Sequence, residues 1–431
     1  MERKIKSLPF LLTALLLLSP IVWLPGITAY QFKVFKSGIL LLFLLQPIVL
    51  LASRGFRLDS GKEFRGLFIW LAIFVLLSAT GFILAQEHWT ALKAYIRYLI
   101  TIPLFLNMYM IFRTNPNRAE RAFKLMVVPV FISCVLVLVA HLDIMHIKIW
   151  GEYQSFETGD RGYVRGLFGR RGGQSWAIGF VVPIACYYAI KSKNTREKFA
   201  WLSAFIAMIY SGSILENRGG FIAALASSIV VIYLIVRRKN KLYRYALLLL
   251  TIVAIVFYRE NLIKYFFYDL RGIDYYGWDS SYDGLTNVSS GRWERWVEAV
   301  EIVSRYPLTG IGFVQEDIPG LSFEHTRYFH NFMIDNIVYT GIFSIIALFI
   351  FIGKVVALTI RRLESIGGGA SGDLIIVSVG IFVAFSVNML VEYGSMFTAI
   401  FTGISFWVAL AALCAMPENT VKYVQVSRKR V

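Results

Sequence analysis

The chain has 431 residues, of which 57% are hydrophobic and 16% charged, with a mean hydropathy of +0.62. That balance excludes a soluble globular or disordered chain. Apolar windows of ~17–22 residues, in place of ~10-residue alternating strands, exclude an outer-membrane barrel. A formal net charge of +17 would suit nucleic acid. The basic residues, however, fall in short clusters between apolar runs rather than on one soluble face, which argues against such a partner.

The runs predict an all-α integral membrane protein with about twelve transmembrane helices, a single polytopic domain over 1–431. In chain order the expected spans are Leu8–Leu24, Gly38–Leu51, Leu67–Leu84, Tyr98–Ile111, Leu125–Ala140, Trp176–Ile190, Trp201–Ile214, Phe221–Val236, Tyr245–Phe257, Phe332–Val355, Leu374–Val391 and Phe397–Ala415. The start, Arg3, Lys4 and Lys6 before Leu11–Leu18, resembles a signal peptide. Because the apolar stretch continues to Leu24 with no small-x-small cleavage site, it is read as an uncleaved first span.

Placing Met1 in the cytoplasm puts most of the 44 basic residues in cytoplasmic segments. Among them are Arg54, Arg57, Lys62 and Arg65; Arg113, Arg118, Arg121 and Lys124; and Arg237, Arg238, Lys239, Lys241 and Arg244. Both termini are then cytoplasmic, and the long polar interval 258–331, between the ninth and tenth spans, lies outside. Non-helical backbone at membrane depth requires cover from protein or a water-filled cavity, so the spans are expected to frame this loop. Cys134, Cys186 and Cys414 lie inside apolar runs without metal-type spacing and read as small core residues.

Basic residues on the outer side have no such topological reason, and arginine dominates them. Arg161, Arg165, Arg170 and Arg171 alternate with glycines in 160–173, a combination of backbone N–H groups and forked donors that suits an anion; lipid head groups would engage them equally. Arg218, followed by Gly219-Gly220 between two apolar runs, faces either a partner or an aqueous cavity, or else snorkels to the interface. In 289–307, apolar residues at 293, 296, 297, 300 and 303 predict an amphipathic outer helix, capped by Ser290, stopped by Pro307, and carrying Arg292 and Arg295. Its tryptophans read as packing or interfacial anchors.

His330 opens the tenth span, where an imidazole can accept a proton at the mouth of an aqueous cavity, although a lone interfacial histidine is usually structural. Asn331 and Asp335 are the neighbouring polar residues able to orient it. The outer carboxylates Asp279, Asp283, Glu316 and Asp317 lack His or Cys at ligand spacing, so no metal and no cofactor are expected, and neither a P-loop nor a Gly-x-Ser-x-Gly elbow occurs.

Three features in order resemble the bacterial O-antigen ligase and O-antigen polymerase superfamily. They are Arg218-Gly219-Gly220; Gly291-Arg292-x-x-x-Trp296 running to Pro307-Leu-Thr-Gly310-Ile-Gly312; and His330-Asn331 separated by nine residues from Gly341. The last is similar to the ligase signature of His-Asn or His-Ser, nine residues, then Gly. Ser344 departs from the Gly, Thr or Tyr with which that pattern ends.

The resemblance implies a GT-C-like, metal-independent, inverting glycosyltransferase in the bacterial inner membrane, working at its periplasmic face. Its donor would be a glycan linked to undecaprenyl diphosphate and its acceptor a lipid A-core hydroxyl. By carry-over, Arg218, Arg292 and His330 are the catalytic set. Arg161, Arg165, Arg170, Arg171, Arg295 and Asn331 are candidate substrate contacts. A polymerase of lipid-linked repeat units is the alternative within the superfamily. A lipid-linked oligosaccharide transporter fits less well, because the spans are nearly charge-free and the arginines collect on one side.

Overall fold

The computed structural model describes residues 10–11, 13–20, 38, 41, 45, 62–142, 144, 147–149, 152–154, 166–168, 171–215, 218–237, 292–313, 329–364, 370–391 and 401–416. Its elements in order are α1 (Lys62–Leu77), α2 (Ala79–Ile83), α3 (His88–Thr114), α4 (Asn117–His141), β1 (Ile147–Ile149), β2 (Glu152–Gln154), α5 (Arg171–Lys191), α6 (Thr195–Ile214), α7 (Arg218–Arg237), α8 (Arg292–Arg305), α9 (Phe332–Glu364), α10 (Ala370–Val391) and α11 (Phe401–Ala415). The protein is an all-α membrane protein, apart from one short antiparallel ladder in which Lys148 faces Tyr153.

Seven apolar stretches among the described residues are long enough to cross a membrane: Glu63–Ile83, which joins α1 to α2, and α3, α4, α5, α7, α9 and α10 in whole or in nearly their whole length. α11 is apolar but shorter. The expected span at Trp201–Ile214 is the C-terminal part of α6, whose first turn is charged (Arg196, Glu197, Lys198) and starts from an Asn194 cap that accepts from Arg196 N–H at 2.9 Å. Of the remaining expected spans, only scattered helical residues of the first two are described, and Tyr245–Phe257 lies outside the described residues, as does the Ser290 cap.

Small residues set the closest helix packing. A Cβ on Gly220 of α7 would lie 2.2 Å from Ser175 Oγ of α5, and one on Gly380 of α10 would lie 2.7 Å from both Pro183 and Val231. Backbones that approach this closely gain dispersion contacts that lipid tails cannot supply. Around them Phe105, Phe351, Phe406 and Trp407 form a buried aromatic core.

One end of the bundle is ionic. Glu63 at the start of α1 pairs with Arg361 (3.3 Å) and Arg362 (3.1 Å) at the end of α9, and buried Arg362 also donates to the Met416 carbonyl after α11. Lys191 of α5 meets Asp373 of α10 at 3.7 Å, and Lys124 of α4 lies over the Tyr188 ring. The opposite end carries a second apolar cluster that joins Ala85, Ala91, Ala299, Ile302, Ile311, Phe313, Phe329, Val338 and Tyr339. This second layer holds α8 and the start of α9.

Candidate functional site

α8 forms where the spacing predicts a helix, but its buried face is rotated from the expected stripe. Ala299 and Ile302 are buried, with Trp296 and Val303 packed beside them, whereas Val300 is 71% exposed and Val297 points outward too. The small Ala299 lets α8 lie close to the Phe329 and Tyr339 rings, so the valines are left on the far side. Arg292 and Arg295 are half-buried on the helix that this packing orients.

α9 is broken at Gly341, whose φ of 77° and ψ of 179° are non-helical. A helix break leaves donors and acceptors without their usual partners, and here the segment after α8 supplies them. Ile311 N–H donates to Val338 O (2.9 Å), Gly312 N–H to Tyr339 O (3.1 Å), and Ile342 N–H to Pro307 O (2.9 Å). Thr80 Oγ1 reaches Thr340 O at 3.1 Å, and Phe313 N–H reaches Gly81 O at 2.5 Å.

The glycines of this junction are dictated by space and by backbone. Gly310 and Gly312 have φ of 68° and 89°, and a Cβ on Gly341 would lie 2.1 Å from Leu308 O. The nine residues between His330-Asn331 and Gly341 are therefore one short helix, 332–340, closed at its far end by 307–313.

His330 stands at the near end of that helix with φ of 52°, and among the described residues it is the one non-glycine residue at positive φ. Such a conformation costs about 1–3 kcal/mol and persists where the surroundings over-determine it. The backbone of the residue before it is held on both sides of its Cα: Phe329 N–H donates to Asp335 Oδ1 (2.8 Å), and Phe329 O accepts from Trp296 Nε1 (3.0 Å). Two hydrogen bonds of about 0.5–1.5 kcal/mol each are of the size needed to offset that strain.

The residue after His330 is held as firmly. Asn331 Oδ1 caps α9 by accepting from Met333 N–H (3.0 Å) and Ile334 N–H (3.2 Å), and its Nδ2 donates to Leu390 O of α10 (3.2 Å). Asn331, expected as a substrate contact, thus has both ends of its amide engaged in the fold. Below it, Asn336 Nδ2 donates to Phe332 O and its Oδ1 accepts from Tyr98 OH.

Electrostatics ties the two helices together. Burial first, and then the positive charges of Arg292 and Arg295, push the His330 imidazolium down to about 4, so the ring is neutral at pH 7.

The helix starts at Arg218 and Arg171 lie at this same end of the bundle. Gly220 abuts Ser175; Gly179, one turn on, approaches both Gly220 O and Asn388 Nδ2; and Asn388 precedes Leu390, the Asn331 partner. Arg218 opens α7 and Arg171 opens α5, while Arg161, Arg165 and Arg170 lie outside the described residues. Among the described residues no three His, Cys, Asp or Glu side chains gather to hold a metal ion.

The indole N–H of Trp296 is not legible from spacing as a contact of this site, whereas Asp335, only 2% exposed, is the residue expected beside His330, its hold being on the Phe329 backbone. A carboxylate in the first turn of an apolar span was a usable signal for Asp335. For Trp296 the only signal was its place four residues after Arg292.

Fold and site together define a polytopic α-helical membrane protein in which a strained histidine lies within the electrostatic field of two arginines. Residues 199–352, about a third of the chain, match the family model described as O-antigen ligase, which supports the O-antigen ligase and polymerase superfamily that its motifs resemble. The matched interval contains Arg218, Arg292, Arg295, His330 and Gly341 and leaves out the arginine cluster at 161–171. No curated protein matches the chain.

Proposed function

We propose that this protein transfers a glycan from undecaprenyl diphosphate to a lipid A-core hydroxyl, at the periplasmic face of the bacterial inner membrane. The O-antigen ligase family domain supports a glycosyltransferase-type enzyme acting on lipid-linked glycan. The observation that carries the residue assignment is His330 at φ 52°, half-buried and within the field of Arg292 and Arg295.

In this reading Arg292 and Arg295, with Arg218 from the start of α7, bind the donor diphosphate and stabilise the charge that grows on it as the glycosidic bond breaks. His330 takes the proton of the acceptor hydroxyl as that oxygen attacks the anomeric carbon, with inversion. The outer ends of α5 and α7 add N-terminal helix dipoles beside Arg171 and Arg218. Arg161, Arg165, Arg170 and Arg171 contribute further donor contacts, and Asn331 acts by capping the helix that follows His330.

The positive charges also explain when the base becomes effective. With the site empty, burial first and then the arginine charges keep the imidazole neutral and make it a weak base. Diphosphate beside the arginines offsets their charge and raises its basicity, so proton uptake is coupled to donor loading.

The test is purified protein in detergent or nanodiscs with an undecaprenyl-diphosphate-linked glycan and a lipid A-core acceptor. His330→Ala is expected to lower kcat by about 10²–10⁴, and Arg292→Ala to lower kcat/KM by about 10²–10³. Undiminished product from His330→Ala would remove the base assignment. Glycan joined to a second lipid-linked repeat rather than to the core would make the enzyme a polymerase.

A further inference from the structure

The backbone of Phe329, the residue before His330, is gripped from two directions by Trp296 and Asp335. Trp296 lies one turn after Arg292 on α8 and reaches across to the Phe329 carbonyl at 3.0 Å, while its ring packs against the outer apolar cluster. Asp335 lies on the short helix 332–340 and accepts from Phe329 N–H at 2.8 Å; its backbone N–H donates to Asn331 O at 2.9 Å. The Asp335 carboxylate is almost fully buried, and its Oδ2 has no hydrogen-bond partner among the described residues. Keeping a charge-bearing group in so apolar a place has a cost that one backbone hydrogen bond does not obviously repay in stability.

What these contacts achieve is geometric. His330 is the residue in the left-handed region, and the peptide on its N-terminal side would swing most easily if it relaxed to an ordinary backbone conformation. The Trp296 indole stops that swing at the Phe329 carbonyl of this peptide, and Asp335 anchors the preceding one through Phe329 N–H, so residue 329 is held on both sides of its Cα. Because Trp296 also belongs to the helix that carries Arg292 and Arg295, the same bond fixes the arginine helix relative to the imidazole.

We infer that Trp296 and Asp335 are positioning residues for His330, which clamp the backbone N–H and C=O of Phe329 and so aim the imidazole at the acceptor hydroxyl beside the arginines. The inference rests on the reading of His330 as the base. Neither side chain touches the reacting atoms, and both act through the backbone of residue 329.

Trp296→Phe keeps the ring and its packing but removes the N–H donor. Asp335→Ala removes the acceptor, whereas Asp335→Asn keeps an amide oxygen where Phe329 N–H can reach it. In full-length protein with the undecaprenyl-diphosphate-linked donor and lipid A-core acceptor, Trp296→Phe and Asp335→Ala are expected to lower kcat by about 10- to 100-fold, the penalty for misplacing a catalytic group by about an ångström. KM for the donor should stay within about two-fold, because the arginines are unchanged. Asp335→Asn should recover most of the turnover.

Placed in a His330→Ala background, Trp296→Phe and Asp335→Ala should cost nothing further, since a positioning residue has no effect once its client is gone. Additive losses in that background would overturn the inference, as would an unchanged kcat in Trp296→Phe and Asp335→Ala, or an Asp335→Asn variant as poor as Asp335→Ala. If His330→Ala alone leaves turnover intact, the base reading fails. If His330→Ala abolishes turnover while the two anchors prove dispensable, only the positioning role fails.

Discussion

The imidazole of His330 responds to three influences that differ in kind: backbone strain, desolvation, and the charges of Arg292 and Arg295. Its depressed basicity has a kinetic consequence with a defined sign. A base must be unprotonated in the free enzyme, so kcat/KM should hold as pH falls through 6 and be lost only near pH 4, where His330 takes up a proton. In Arg295→Gln one positive charge is removed, proton binding becomes easier, and the acidic limb should move to higher pH. A pH profile of kcat/KM for both proteins checks this; a limb at the ordinary histidine value in the unaltered protein would mean that the arginines do not act on the ring. The residue types at 292, 295 and 330 were legible in the sequence, but not the left-handed backbone, because histidine gives no local signal for positive φ.

The instructive element is α9, which sequence reading takes as one continuous span and the structure divides at Gly341. A continuous helix would carry His330 on the extension of a membrane span. The break instead makes 332–340 a separate piece, set by the segment 307–313 and by α8. Gly341→Ala should therefore be damaging: its Cβ would lie 2.1 Å from Leu308 O, on a backbone at φ 77°. The expected loss is about 1–3 kcal/mol, seen as a lower Tm in detergent together with reduced turnover. Gly353→Ala, on the same helix with nothing within 4 Å of the added Cβ, should be neutral or slightly stabilising. The Gly310-Ile-Gly312 and Gly341 signals were visible in the chain, yet their mutual contact was not, since it spans about thirty residues of sequence and depends on how α8 lies.

Across the whole molecule the two ends serve different purposes. The ionic end fastens α1, α9 and α11 through Glu63 and buried Arg362, while the opposite end presents the outer layer. Removing the acidic partner strands a buried charge, so Glu63→Ala should destabilise by on the order of 3 kcal/mol, with turnover per folded molecule unchanged. Glu120→Gln, which breaks the exposed pair with Lys124, should stay within about 0.5 kcal/mol. Thermal unfolding of the two variants side by side distinguishes the buried clamp from the surface pair.

The sequence by itself determined the membrane class, the helical character and the positions of most described helices, because the length and apolarity needed to cross a bilayer are properties of a linear stretch. It also marked Arg218, Arg292 and His330 as residues whose placement demanded a reason. Only the tertiary structure decided that α8 turns Ala299 and Ile302 inward, that 307–313 completes the broken α9, and that Trp296 and Asp335 hold the Phe329 backbone next to His330. Those outcomes depend on which backbone groups lack a partner once the helices have packed, and on the space left between them, and neither quantity exists along an isolated chain.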